Sequence, residues 1–240
     1  MQASSKVKGI VDIVFLIDIT GSMQHCIEAL KANIAIFVDF LTGKDPNNEC
    51  PVKHWRAKAV GFRDYTCDKV PLEDHPFVEN AEALKEQLAC LTAAGGGDEP
   101  ESLLDAIYVL SNQPQMAKGA QELDPGKWRY RNDAARVVVA FTDASYHPSM
   151  SVSPPGTVDD VIAAMHANRI ILSLFAPEMD CHDAIAAADK SEYNAIPWNR
   201  EDQNGAQKAL MEFTRDQANF RKTLEMLAKS VSQSAGVPLD

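Results

Sequence analysis

Nowhere in this 240-residue chain do about 18 apolar residues run uninterrupted, the length a membrane span needs, so none is expected. The opening Met1-Gln-Ala-Ser-Ser-Lys6 lacks the apolar stretch of a signal peptide, and a cytoplasmic protein is the expectation. Cysteine is sparse. Cys26, Cys50, Cys67, Cys90 and Cys181 are odd in number, widely spaced and without a Cys-x-x-Cys pair. That pattern points to thiols in a reducing compartment, and neither His25 beside Cys26 nor His182 beside Cys181 has the spacing of a zinc site. Basic residues are outnumbered, 23 Lys and Arg against 34 Asp and Glu, and the formal charge of -11 argues against a general nucleic-acid binder. Also missing are a Gly-x-Ser-x-Gly elbow, a phosphate-binding glycine-lysine loop, a dinucleotide fingerprint and any internal repeat, which leaves most enzyme classes without a foothold.

What the chain does have is a hydrophobic strand that ends in an acid. In Val11-Asp-Ile-Val-Phe-Leu-Ile-Asp-Ile-Thr-Gly-Ser-Met23, six of the seven residues before Asp18 are apolar, the pattern of a strand buried on both faces in an α/β sheet. Asp18, Thr20 and Ser22 follow at a spacing of two, so an extended turn aims their oxygens to one side. Hard oxygen ligands of this kind suit Mg²⁺ or Mn²⁺ rather than zinc.

Two further segments join this one in chain order. Gly95-Gly-Gly-Asp-Glu-Pro-Glu-Ser102 precedes a helix, and Val137-Val-Val-Ala-Phe-Thr-Asp-Ala-Ser145 ends a second buried strand. With Asp18-Ile-Thr-Gly-Ser22 matching Asp-x-Ser/Thr-x-Ser, the chain resembles von Willebrand factor A domains across residues 8–230. The glycine loop, Phe62-Arg-Asp64 and Asp143-Ala-Ser-Tyr-His147 resemble the subset with hemicentin-like and alpha-kinase-associated members. The resemblance implies a Rossmann-like fold and a metal-ion-dependent adhesion site. Ser22 and Thr20 would offer hydroxyls, Asp18 and Asp143 carboxylates directly or through water, and an acidic side chain from a partner protein would fill the open position. Where the family's middle loop usually has threonine, this chain has Asp98. As a ligand it would raise metal affinity but leave the ion less electrophilic, weakening dependence on a partner carboxylate; as a helix cap it would do neither.

Alternating strand and helix patterns predict a doubly wound, mostly parallel sheet flanked by helices, in one domain over residues 8–231 with flexible tails at 1–7 and 232–240. Helices are expected over Met23–Leu41, Ala81–Leu91, Ser102–Leu110, Thr157–Asn168 and, shorter, Asp180–Lys190. Strands are expected over Trp55–Tyr65, Arg136–Thr142, Arg169–Ala176 and Tyr193–Pro197, with Asp64–Pro76 as loop or edge. Asn112–Asp133 reads as a polar surface excursion, and Gly205–Val231 as one long final helix.

Around the motif residues, Glu99 and Glu101 read as acids favoured by the dipole of the helix that Pro100 starts, and Arg63 and Asp64 as a pair at a strand edge. His147 either lines the site or makes a structural hydrogen bond. Lys127-Trp-Arg-Tyr-Arg131 reads as a tryptophan packed under its loop, against the alternative of a cluster that stacks nucleobases or holds phosphates. The function expected is a non-enzymatic, metal-dependent protein-interaction module that binds neither nucleic acid nor membrane. Two alternatives stand beside it: a haloacid-dehalogenase-type phosphohydrolase with Asp18 as nucleophile, and a structural domain with a vestigial metal site. Thr20 separates the first, because that mechanism wants a second Asp there as general acid.

Overall fold

The computed structural model describes residues 9–44, 52–96, 99–153 and 156–236. A six-stranded sheet in the order β3-β2-β1-β4-β5-β6 forms its centre. The strands are β1 (Ile10–Asp18), β2 (His54–Phe62), β3 (Leu72–Asp74), β4 (Ala135–Phe141), β5 (Ile170–Pro177) and β6 (Glu192–Ile196). All neighbours pair in parallel except β3, an antiparallel edge strand on β2. The helices are α1 (Gln24–Leu41), α2 (Ala81–Cys90), α3 (Leu103–Ser111), α4 (Val158–Asn168), α5 (Asp180–Ala186), α6 (Gly205–Arg215) and α7 (Gln217–Gly236). The architecture is the expected Rossmann-like doubly wound fold.

Parallel strands covered on both faces must be apolar throughout, and β1 and β4 are buried along almost their whole length. One face carries Phe15, Ile17, Val137 and Val139 against α1, α2, α6 and α7. The other carries Val14, Leu16, Val138 and Ala140 against α3, α4 and α5. In α1 the three- and four-residue recurrence of Ile27, Leu30, Ile34, Phe37 and Leu41 buries all five. Because β1 lies between β2 and β4, the winding direction reverses beside it. The carboxyl ends of β1 and β4 therefore flank the crevice where doubly wound sheets bind ligands.

Three expectations change. The final helix is two: Asp216 leaves helical geometry at ψ 85°, its side chain accepts the Asn219 amide (3.1 Å) and its carbonyl the Phe220 amide (2.8 Å). An aspartate with its carboxylate on the amide three residues ahead is an N-cap, so the helix restarts there. The second helix also outlasts the expected tail boundary at 232, since Ser232 and Ala235 are buried and the Gly9 amide donates to the Ala235 carbonyl at 3.2 Å. The third change is the Asn112–Asp133 excursion, which is clamped to the amino edge of the sheet rather than lying loose on the surface.

Trp128 is fully buried, packs at a tilt against Phe77 (centroids 5.1 Å apart) and donates its indole N–H to the Leu110 carbonyl at 2.9 Å. That removes the nucleobase-stacking alternative. Its neighbour Arg129 reaches Asp12 in β1, Nη1 to Oδ1 at 2.6 Å, while the Arg129 amide donates to Oδ2 at 2.7 Å. Arg56 from β2 grips the same carboxylate, Nε to Oδ1 at 3.0 Å and Nη2 to Oδ2 at 2.6 Å. Arg136 closes the cluster through the Arg129 carbonyl (Nε, 3.0 Å), the Asn168 carbonyl (3.1 Å) and Gln115 Oε1 (2.5 Å).

Candidate metal centre

Asp18 is the last residue of β1, and Asp143 stands two residues past the end of β4. The Asp18 carboxylate is fully buried and held from both sides. Oδ1 accepts the Thr20 amide at 2.9 Å and the Thr20 hydroxyl at 2.7 Å, and Oδ2 accepts the Thr142 hydroxyl at 2.7 Å. This is the self-bonding turn that a short Asp side chain makes with the residue two ahead. Because both hydroxyls donate their protons to Asp18, the lone pairs of Thr20 stay available for a cation.

Asp143 is differently placed. The Ser22 side chain hydrogen-bonds to it, but its Oδ2 is buried with no partner among the described residues. Burial and then the charge of Asp18 push its pKa up to about 7. Asp18 is likewise raised, chiefly by burial, against the hydrogen bonds from Thr20 and Thr142 and a weaker pull from Arg63. Beneath them, burial followed by the charges of Asp143 and Asp18 drives the Cys26 thiol up, out of thiolate chemistry at ordinary pH.

Glu101 is the acid that sequence reasoning placed wrongly. The helix begins at Leu103, and Glu101 lies before it in an extended bridge to Tyr146. Its amide donates to the Ser145 carbonyl (2.9 Å), and its carbonyl accepts the His147 amide (3.0 Å). That pairing turns the side chain inward, 5% exposed, with Oε2 lacking any partner. Burial, then the charges of Asp18, Asp64, Asp68 and Asp143, raise its pKa to about 8. Glu99 stays at the surface and accepts the Ser145 amide at 2.7 Å.

The glycine loop presses against this group. A Cβ on Gly96 (φ 71°) would lie 2.8 Å from Thr20 Cβ and 2.9 Å from Glu101 Oε1, so a left-handed glycine is what fits between them. The Ala94 amide donates to the Ile19 carbonyl at 2.9 Å, and the Gly21 amide to the Gly95 carbonyl at 3.3 Å. Asp98 lies outside the described residues.

Arg63 and Asp64 do not pair. Arg63 holds the loop instead, Nε to the Ala94 carbonyl (2.7 Å) and Nη2 to the Thr92 carbonyl (2.9 Å), with its ion pair to Glu73 at 2.6 Å. Asp64 collects donors: the Thr66 amide (2.8 Å), the Ser102 hydroxyl (3.0 Å) and His147 Nε2 (3.1 Å) on Oδ1, and the Thr66 hydroxyl (2.5 Å) on Oδ2. Burial alone would raise its pKa, but these bonds outweigh it and the carboxyl is lowered. His147 thus has the structural bond, made to Asp64 rather than to Asp18 or Asp143.

Among the described residues, no three His, Cys, Asp or Glu side chains stand close enough to cage a metal by themselves. The donor set that fits a hard divalent ion is mixed: the Thr20 and Ser22 hydroxyls with the Asp18 and Asp143 carboxylates, water completing the shell, and Glu101 stands nearby across Gly96 from Thr20. Three buried carboxylate oxygens lack partners among the described residues: Asp105 Oδ2, whose Oδ1 accepts the Ser151 and Val152 amides away from the motif hydroxyls, and Asp143 Oδ2 and Glu101 Oε2, which favour a cation because buried anions are mostly paired. Magnesium suits such a set, since it keeps several waters and takes few carboxylates.

No family model matches this sequence, and no curated protein matches it either. Among solved structures, proximal thread matrix protein 1 from the mussel byssus matches with a TM-score of 0.51 at 12% identity, over 89% of this chain and 46% of that one. The pilus adhesin SpaC from Lactobacillus rhamnosus GG matches with a TM-score of 0.47 at 12% identity, over 93% of this chain and 31% of that one. The likeness to the byssus protein is one of fold. This chain spans less than half the length of either protein. Among the described residues, no helix is long and apolar enough to cross a membrane.

Proposed function

We propose that the protein is a von Willebrand factor A-like interaction module that holds Mg²⁺ or Mn²⁺ at the carboxyl edge of β1 and β4 and engages a partner protein there. The observation that carries the reading is the pair of orphaned buried oxygens, Asp143 Oδ2 and Glu101 Oε2, beside the hydroxyls of Thr20 and Ser22 at the point where the sheet winding reverses. When bound, the cation would neutralise these carboxylates and offer its remaining position to an acidic side chain of the partner. Glu101 adds a further buried carboxylate close enough to feel the charges of Asp18 and Asp143, and its charge would tighten metal binding and weaken reliance on the partner's acid.

Thr20 supports this reading over a phosphohydrolase, whose mechanism wants a second acid at that position, because its hydroxyl donates to Asp18 and cannot serve as the general acid in the same way. The thiols of Cys26, Cys90 and Cys181 support a reducing, cytoplasmic setting. Calorimetric titration of the chelated protein with Mg²⁺ and Mn²⁺ tests the site. The parent should bind, and Asp18→Ala and the Thr20→Ala/Ser22→Ala pair should fold without binding. Equal binding by parent and variants refutes the assignment, and Mg²⁺-dependent hydrolysis of p-nitrophenyl phosphate that Asp18→Ala abolishes would favour the phosphohydrolase.

A further inference from the structure

The α3–β4 connection, residues 112–134, is far longer than the ~12–15 residues beyond which loops without secondary structure become uncommon and usually functional. With the amino ends of β1 and β2 it encloses a cleft of about 510 Å³. Ligand sites fall in this size range, roughly 300–1,000 Å³. The cleft lies at the opposite edge of the sheet from the candidate metal centre, and a buried arginine, Arg129, lines it.

Its floor is Arg129, almost fully buried and bordered by Met116 and Tyr130, with His54 and Leu123 at the mouth. Three buried guanidinium groups, Arg56, Arg129 and Arg136, cluster here around one buried carboxylate, Asp12. Arg136 is bonded to carbonyl and amide oxygens rather than to an acid. Arg129 commits Nη1 to Asp12, whereas its Nη2 has Glu79 at 3.7 Å, beyond hydrogen-bond distance and with the Glu79 side chain 61% exposed. Glu79 is not on the lining; the acid that is, Asp133, has Oδ2 engaged by the Gly119 amide at 2.6 Å. Burial works against the charged forms of Arg129 and Arg136, and Arg56 adds like-charge repulsion to both. A buried guanidinium on a cleft with an apolar flank, backed by two more buried guanidinium groups against one buried carboxylate, is the setting that an anion relieves.

We infer that this cleft binds a small organic anion, a single carboxylate or phosphate on an apolar or aromatic body. The charged group would meet Arg129 and His54, and the body would cover Leu123, 41% exposed, and Met116. This site is independent of the metal-dependent reading.

The test uses the ¹⁵N-labelled full chain at low salt, with benzoate and phenyl phosphate as anionic probes and benzyl alcohol and benzylamine as neutral and cationic controls. The expected result is saturable amide shifts at Gly119, Ala120 and Tyr130 with at least one anion, weakened by salt and absent with both controls. Benzoate alone would make the ligand class a carboxylate, and phenyl phosphate alone a phosphate ester. Leu123→Glu and His54→Glu change exposed positions and should melt with the parent, yet bind about tenfold or more weakly because each sets a like charge in the cleft. The inference is overturned if neither anion shifts those amides, if a control shifts them equally, or if both variants bind as the parent does.

Discussion

The two edges of the sheet treat buried charge in opposite ways. At the amino edge, Asp12 accepts from Arg56, Arg129 and the Arg129 backbone, and both its oxygens are bonded. At the carboxyl edge, Asp143 and Glu101 each keep a buried oxygen without a partner. Asp64, only a loop away, shows that this edge can satisfy an acid when donors are provided. Asp105 is intermediate, with Oδ1 on the Ser151 and Val152 amides and Oδ2 unpartnered, so what sets Asp143 and Glu101 apart is an orphaned oxygen close to the motif hydroxyls. The comparison predicts that removing an acid will have opposite signs at the two edges.

The largest losses should come from the amino edge. Asp12→Ala leaves two buried guanidinium groups, Arg56 and Arg129, without their shared anion and should cost about 3–5 kcal/mol, read from urea unfolding. Trp128→Ala opens a cavity under the clamped loop and should cost a similar ~3–5 kcal/mol. A loss below about 1 kcal/mol for either would mean that the loop is not part of the cooperative core.

At the carboxyl edge the sign reverses. Asp143→Asn removes a buried charge that the metal-free fold disfavours, so in the presence of chelator it should stabilise the protein by on the order of 1–2 kcal/mol near neutral pH. The same physics sets a pH dependence. Asp143 rises from 3.8 to about 7 in the fold and Glu101 from 4.5 to about 8, so the unfolded chain releases these protons first. Stability is therefore full below the unfolded values and lost as pH climbs through the folded ones. The chelated parent should melt at progressively lower temperature from about pH 5 to about pH 8, and Mg²⁺ affinity should rise over the same interval because the metal needs ionised carboxylates. Asp64, lowered by its donors, acts in the opposite sense but below this window. A flat melting profile would remove the distinction between the edges.

The smallest effect on the fold belongs to Ser22→Ala, within about 0.5 kcal/mol, since Ser22 is only half-buried. Its effect on Mg²⁺ binding should be roughly tenfold or more, because it both orients Asp143 and offers a ligand oxygen. Calorimetry that finds unchanged affinity would take Ser22 out of the site.

The sheet was readable because burial on two faces forces apolar runs, and β1, β4 and β5 are such runs. Asp18, Thr20, Ser22 and Asp143 were readable because they follow those strands directly. Glu101 was not, because Pro100 followed by an acid is the pattern of a helix start, and only the Tyr146 bridge shows that the backbone is still extended there. A signal did exist in Ser102, which bonds Asp64 and fixes the segment before the helix. The amino-edge cluster was also signalled, by Asp12, Arg56, Lys58 and Arg136 interrupting strands that are otherwise mostly apolar, since charges at such positions have to be paired. Their common partner loop, closed by Trp128 and Arg129, could not be read from polar composition alone. Asp216 shows the remaining gap: one apolar stripe from Leu210 to Val231 passes across the break, and only the cap bond divides it.

The central claim is that the unpartnered carboxylates await a cation, and thermal melting tests it most directly. The parent and Asp143→Asn are melted in chelator and then across a Mg²⁺ titration. The account predicts a saturable rise in the parent, no rise in Asp143→Asn, and a higher chelated melting temperature for the variant than for the parent. A rise of equal size in both proteins, or in neither, would contradict it.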